Sequence, residues 1–173
     1  MTFDIRRILV PLDFSPNSTW ALDYAHFLAR RFHAELHLLH VCELPAMMTT
    51  SMDARATAYW SQQSLGEEAE HEFSKIVDGL DVKVTTEVRF GNPAKAIVDD
   101  AAAWQADLIV MGTHGHGVAT HLLMGNVAER VVRLAPCPVL TIREPQPRRR
   151  VDRSKIAVPT ERHLSPGCHG ARD

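Results

Sequence analysis

The stretch Asp107–Val132, DLIVMGTHGHGVATHLLMGNVAERVV, decides the architecture. Leu108 to Met111 is an apolar run of the kind a strand shows when both of its faces are covered, and it opens directly into glycines. Gly112 and Gly115 are separated by two residues, nine more lead to Gly125, and an amphipathic helix begins near Asn126. Strand, glycine loop and helix in that order form a phosphate cradle. Glycine lets backbone N–H groups approach a ligand oxygen that a Cβ would push away. The first turn of the helix adds unpaired N–H groups and the positive end of its dipole. The competing reading is that the glycines only permit turns. His114 and His116 fall inside the loop, where a protonated imidazole would touch phosphate and where an exposed histidine without a role is equally expected.

Outward from this stretch the chain alternates strand and helix. Ile8–Leu12 is a continuous apolar run ending at Asp13; Ser15 is then an N-cap, with Pro16 in the first turn of a helix. Ala21, Tyr24, Ala25, Leu28 and Phe32 repeat at three and four and predict its buried face. Glu35–Val41 reads as a second strand, followed by an irregular connection from Cys42 to about Met52. A helix is expected over Asp53–Gly79, with Phe73, Ile76, Val77 and Leu80 on one stripe and Gly66 weakening its middle. Val82–Val88 alternates apolar and polar residues, as a strand toward a sheet edge does. Gly91-Asn92-Pro93 starts a third helix, with Ala94, Ile97, Val98 and Ala101 inward. In the fourth, Val127, Val131 and Leu134 face the core, and Asn126 with Glu129 resembles a capping box. Pro138–Ile142 is the last strand. Such alternation predicts a parallel sheet with right-handed crossovers and helices on both faces.

The spacing G-x2-G-x9-G with a small polar residue after it resembles the nucleotide-binding signature of the universal stress protein family, in its ATP-binding branch. The resemblance runs from about Arg7 to Arg143 and is carried also by RRILVPLDFS, LHLLHV, FGNPAKAIV and VAERVVRLAPCPVLTIR. It implies an α/β fold: one Rossmann-like, doubly wound, five-stranded parallel sheet of order 3-2-1-4-5 within residues 1–144. In that order Asp13 and Gly112 end neighbouring strands where the winding reverses, and a ligand belongs there. The implied nucleotide-binding residues are Pro11, Asp13, Val41, Met111, Gly112, His114, Gly115, His116, Gly117, Gly125, Asn126 and Val127. Of these, the backbone at Val41 would read the adenine edge. Asp13 would hold the ribose hydroxyls or a nucleotide-bound Mg²⁺, against the simpler reading of a helix cap. Asn126 stands where the family generally has Ser or Thr, and its amide can also donate to the terminal phosphates.

The resemblance implies an ATP-binding (or AMP- or ADP-binding) stress-response protein that acts as a nucleotide-dependent signalling or protective module on an unknown protein partner. It also implies a homodimer through the last strand, whose Val139, Leu140 and Ile142 form an apolar edge. Two other classes remain open: a weak Mg²⁺-dependent ATPase or adenylyl transferase, and a nucleotide-free dimeric adaptor. No G-x-x-x-x-G-K-[ST], G-x-S-x-G, H-E-x-x-H or paired C-x-x-C occurs, so any hydrolysis is expected to be slow.

A length of 173 residues predicts one domain, and a net charge of −2 gives no reason to expect nucleic acid. No apolar run approaches membrane-spanning length, and MTFDIRR lacks a signal-peptide core, so the expected location is the cytoplasm. Cys42, Cys137 and Cys168 suit reduced thiols. His37 and His40 fall on opposite faces of a short strand and are poor partners for one metal. Residues 145–173 are Pro- and Arg-rich, and KIAVPTE there echoes ILVPLDF, as the stub of a second repeat would. His163, Cys168 and His169 have ligand chemistry without a recognised spacing, and Arg148–Arg150 reads as a solvated linker.

Overall fold

The apolar runs become the inner strands of one sheet. The computed structural model describes residues 4–43, 52–113 and 125–143, with 52–61 described by their backbone. The elements are β1 (Arg7–Pro11), α1 (Pro16–Phe32), β2 (Glu35–Cys42), α2 (Met52–Val77), β3 (Val84–Phe90), α3 (Pro93–Ala103), β4 (Leu108–Gly112), α4 (Asn126–Leu134) and β5 (Val139–Ile142). They form a five-stranded sheet of order β3-β2-β1-β4-β5, and every pairing is parallel. The expected doubly wound order is the observed one, with the alternating strand, β3, at one edge.

Alternation along the strands divides the core in two. On one face Ile8, Val10, Leu36, Leu38 and Val110 pack against Ala21, Leu22, Ala25 and Ala29 of α1 and Phe73 of α2. On the other, Leu9, Leu39, Ile109 and Met111 meet Ala94, Ile97 and Ala101 of α3 with Ala128 and Val131 of α4. Ile8, Leu9, Val10, Leu36, Leu38, Leu39, Ile109 and Val110 have no exposed surface, as a sheet covered on both sides requires.

The helix starts follow local chemistry. Ser15 caps α1, its Oγ accepting the Ser18 N–H at 3.3 Å, and Asn92 caps α3, its Oδ1 accepting the Lys95 N–H at 3.1 Å. A proline follows each cap in the first helical turn, where its missing N–H costs nothing.

Three expectations about helix faces and ends are corrected. Tyr24 and Phe32 do not join the buried face of α1; they are 46% and 45% exposed, and Leu22 and Ala29 take the interior positions instead. The reason is proximity: α1 lies so close to β4 that a Cβ on Gly112 would stand 3.1 Å from the backbone C and O of Asn17. A helix seated that closely presents small residues to the sheet and leaves its aromatics at the flanks. Leu134, the last residue of α4, is 60% exposed for the simpler reason that the helix ends beyond the sheet's cover. The N-cap of α4 is Gly125, in extended conformation, so Asn126 is the first helical residue and no capping box forms with Glu129. The Glu129 N–H instead enters the helical ladder by bonding the Gly125 carbonyl at 2.9 Å.

Most of the connection between β2 and α2 (residues 44–51) lies outside the described residues. So does the segment from residue 144 onward, with Arg148–Arg150, KIAVPTE, His163, Cys168 and His169. Among the described residues, no helix is long and apolar enough to cross a membrane.

Candidate functional site

At the carboxyl ends of β1 and β4, where the winding reverses, the sheet opens into a cleft of about 570 Å³. That volume lies within the ordinary range for a small-molecule or cofactor site. Of the residues singled out in the sequence, Pro11, Asp13, Val41, Met111, Gly112, Gly125, Asn126 and Val127 line it. His114, Gly115, His116 and Gly117 lie outside the described residues. Leu39, His40, Cys42, Leu65, Pro93, Ile97, Thr113 and Ala128 complete the wall without having been anticipated.

Asp13 reaches the cleft through a sharp turn. Phe14 takes a left-handed backbone conformation with φ of 60°, which is strained for a bulky residue. Its ring is held by stacking on His40, with centroids 4.6 Å apart, and by an edge contact with Phe73 at 5.6 Å. One carboxylate oxygen of Asp13, Oδ1, accepts both the Ser15 N–H at 3.1 Å and the Ser15 hydroxyl at 2.6 Å. Ser15 Oγ in turn receives the Ser18 N–H. The cap of α1 is thus Ser15 and not Asp13, which braces Ser15 and lines the cleft.

His40 contributes an aromatic face and a fixed hydrogen. Its Nδ1 lies 2.7 Å from the Leu12 carbonyl, which can only accept, so Nδ1 carries the hydrogen. His37 turns to the opposite face of the sheet, near Asp100 and Trp104, in agreement with the strand periodicity. Cys42 is buried beside the cleft, and burial pushes its thiol above the ordinary range, which keeps it protonated and unreactive.

The start of α4 forms another part of the cleft wall. Among the described residues no side chain caps this helix, and the N–H groups of residues 126–128 precede the first intrahelical bond. The Gly125 N–H is already committed to the Thr113 carbonyl at 2.8 Å, while the Thr113 N–H bonds the Ile142 carbonyl of β5 at 3.0 Å. The first turn of α4 is thereby set against the end of β4. Among the described lining residues the charged side chains are Asp13 and Glu43, and none is Lys or Arg. An anion held here would be met by backbone N–H groups and the helix dipole.

Gly112 proves to have a packing role that spacing alone did not disclose. It lets the first turn of α1 approach β4, which brings the Asp13–Ser15 turn and the start of α4 to opposite sides of one cleft. His40 and Pro93 lie within stretches that carry the resemblance, yet neither is among the expected site residues; the strand order brings them into the wall by juxtaposing β2 and α3 with β1.

Comparison with known proteins agrees with this architecture. Residues 4–143 match the universal stress protein family model. Universal stress protein MJ0531 of Methanocaldococcus jannaschii is 35% identical over 144 residues, 82% of this chain and 84% of that protein. Among solved structures, the universal stress protein UspA from Lactobacillus plantarum is 28% identical with a TM-score of 0.70, over 82% of this chain and 100% of that one. The protein MJ0577 is 26% identical with a TM-score of 0.73, over 83% and 99%. On the extent of the family match and on the shared fold, the chain belongs to the universal stress protein family.

Proposed function

We propose that the cleft binds an adenine nucleotide, with ATP the leading candidate, and that the protein acts as a nucleotide-dependent signalling or protective module. The observation that carries this reading is the contrast between helix starts. The first turns of α1 and α3 are capped by Ser15 and Asn92, whereas α4 starts at Gly125 with no side-chain cap among the described residues and begins in the cleft wall. Each N–H to phosphate bond contributes about 1.5–3 kcal/mol. About three to six of them supply the roughly 8 kcal/mol of micromolar binding.

In this reading Gly115, Gly117, Gly125, Asn126 and Val127 surround the phosphates, with His114 and His116 beside them. Asp13 holds the ribose hydroxyls or a phosphate-bound Mg²⁺. Pro11 and Met111 floor the site, and the backbone at Val41 meets the adenine edge. Lacking a basic side chain among its described lining residues, the cleft suits a nucleotide whose charge is shared with a metal ion. Solved structures of this fold include a universal stress protein in complex with cAMP and an Arabidopsis thaliana family protein with AMP bound. At 22% and 18% identity these share the fold with this chain, and the nucleotide assigned here rests on the cleft itself. Binding would act by shifting the population of conformations that the cleft presents to a partner. The edge of β5, paired with β4 on one side and carrying half-buried Val139, Leu140 and Ile142, is the surface proposed for a homodimer.

The test is to identify the nucleotide released on denaturing the purified protein, with Gly115→Val and Gly125→Val treated identically. Gly125 has φ of −62° and ψ of 149°, which valine adopts without strain, so that substitution acts on ligand approach and spares the backbone. ATP near one per chain, lost in both variants, is the expected result. No released nucleotide, together with an unchanged melting temperature in ATP, ADP, AMP and cAMP, would leave the nucleotide-free adaptor as the better account.

A further inference from the structure

Away from the cleft, β2, β3 and α3 enclose a second polar cluster. His37 Nε2 lies 3.1 Å from Asp100 Oδ2 and 3.6 Å from Glu87 Oε2, and the side chains of His37 and Asp100 are only 7% and 3% exposed. Although 3.1 Å apart, Nε2 and Oδ2 do not meet as a hydrogen bond, and neither has another hydrogen-bond partner. Two buried polar atoms left in that state cost stability unless something joins them.

Each of the three side chains is held by a further residue. His37 Nδ1 is 2.7 Å from Thr85 Oγ1, which holds the ring, and the tautomer that a metal ligand requires has the Nδ1 hydrogen donated to that oxygen. That tautomer places a lone pair on Nε2, facing the lone pairs of Asp100 Oδ2. Arg89 takes the outer oxygen of both carboxylates, Glu87 Oε1 through Nε and Asp100 Oδ1 through Nη2, each at 2.6 Å. The inner oxygens are thereby turned toward the imidazole, and the Trp104 ring stacks on it with centroids 5.0 Å apart.

We propose that His37 Nε2, Glu87 Oε2 and Asp100 Oδ2 ligate a divalent first-row transition ion such as Zn²⁺, with water completing the shell. The three donor atoms all lie within 4.8 Å of one another. Zinc–ligand distances of about 2.0–2.2 Å set a tetrahedral edge of roughly 3.3–3.6 Å, close to the two measured separations from Nε2. An imidazole nitrogen with two carboxylates suits Zn²⁺ or a neighbouring transition ion better than Mg²⁺ or Ca²⁺, which favour all-oxygen shells. Arg89 neutralises one of the two carboxylate charges and leaves a net negative site for the cation. Thr85 and Arg89 are the outer partners that orient metal ligands in such sites. The ion would join the edge strand β3 to β2 and α3.

The experiment is calorimetric titration of Zn²⁺ into the full chain after chelator treatment, repeated with Co²⁺ while recording visible absorption. About one Zn²⁺ per chain and the strong visible bands of low-coordinate Co²⁺ are expected. Both should disappear in His37→Gln and in Glu87→Gln, and affinity should fall about 10–100-fold in Thr85→Val. A substitution at the buried His37 also perturbs folding, so Glu87→Gln, at the 41% exposed side chain, decides the matter. The triple variant His163→Ala/Cys168→Ala/His169→Ala should bind as the parent does. Absence of Zn²⁺ binding, or binding that survives Glu87→Gln, overturns the assignment.

Discussion

Gly112→Ala is the most direct probe of how α1 is seated. The added methyl would stand 3.1 Å from the backbone C and O of Asn17 and 3.2 Å from its Cβ. Carbon atoms in ordinary contact are about 3.5–4.0 Å apart, so the first turn of α1 must retreat by roughly half an ångström. Two of the three obstructing atoms are backbone, so no side-chain rotation relieves the clash. Overpacking of this kind costs about 1–3 kcal/mol, against which alanine recovers roughly 0.5–1 kcal/mol of glycine's backbone entropy. Gly112 is not in the left-handed region, so no conformational strain is added. The expected net loss is about 1 kcal/mol, between limits of roughly 0 and 2.5 kcal/mol, and with a fall of roughly 2–4 °C per kcal/mol for a domain near this size the melting temperature should drop by about 2–4 °C. Calorimetry together with urea unfolding reads both quantities. Because α1 carries the Asp13–Ser15 turn, nucleotide affinity should weaken as well. A variant as stable as the parent would show that α1 does not rest on β4 at Gly112, and the account of the cleft's geometry would fail with it.

Gly66→Ala should do the opposite: it lies within α2, its Cβ would meet only the Phe90 ring at an ordinary 3.9 Å, and a gain of roughly 0.5–1 kcal/mol in urea unfolding is expected, with a loss indicating a tighter α2–β3 contact. The Asp81 carboxyl is held below its ordinary value of 3.8, first by its hydrogen bond with His26 and then by Arg30. Its folded value lies below its unfolded one, so its contribution to stability is present above about pH 4 and is lost as pH falls through the depressed value. Asp81→Asn should therefore flatten the acid limb of the urea midpoint against pH, and parallel profiles for the two proteins would remove Asp81 from that limb. Val139→Lys should shift the mass measured by light scattering toward the monomer, and an unchanged mass would place any dimer interface away from β5.

The parts of the molecule legible in the sequence are those where one interaction dominates. Runs such as Ile8–Leu12 and Leu108–Met111 can only be buried strands, and Ser15-Pro16 and Asn92-Pro93 can only start helices, because hydrophobicity or capping chemistry acts there alone. Tyr24 and Phe32 were misplaced because a three-and-four repeat locates a stripe without saying how close the helix comes to the sheet. That distance is set by Gly112, about 90 residues further along the chain. Asn126 was read as a cap because its side chain can cap, yet the glycine before it enters the helix first. For the cleft, the acid and the glycines were legible through their positions after strands, whereas His40 and Pro93 were not, since only strand order brings them in. Asp100 gave no signal: an aspartate after Asp99 near a helix end looks solvated, and its burial follows from Arg89 and His37 on the neighbouring strands.

The single bond from the Gly125 N–H to the Thr113 carbonyl has a consequence for how such chains diversify. The chain leaves the sheet at Thr113 and starts α4 at Gly125, and at 2.8 Å those two points are one hydrogen bond apart. Residues 114–124 therefore join two points that are already tied to each other, and a substitution among them leaves both partners of that bond in place. Ligand preference can then drift by replacing one segment, while the sheet that supports it stays under separate selection for packing.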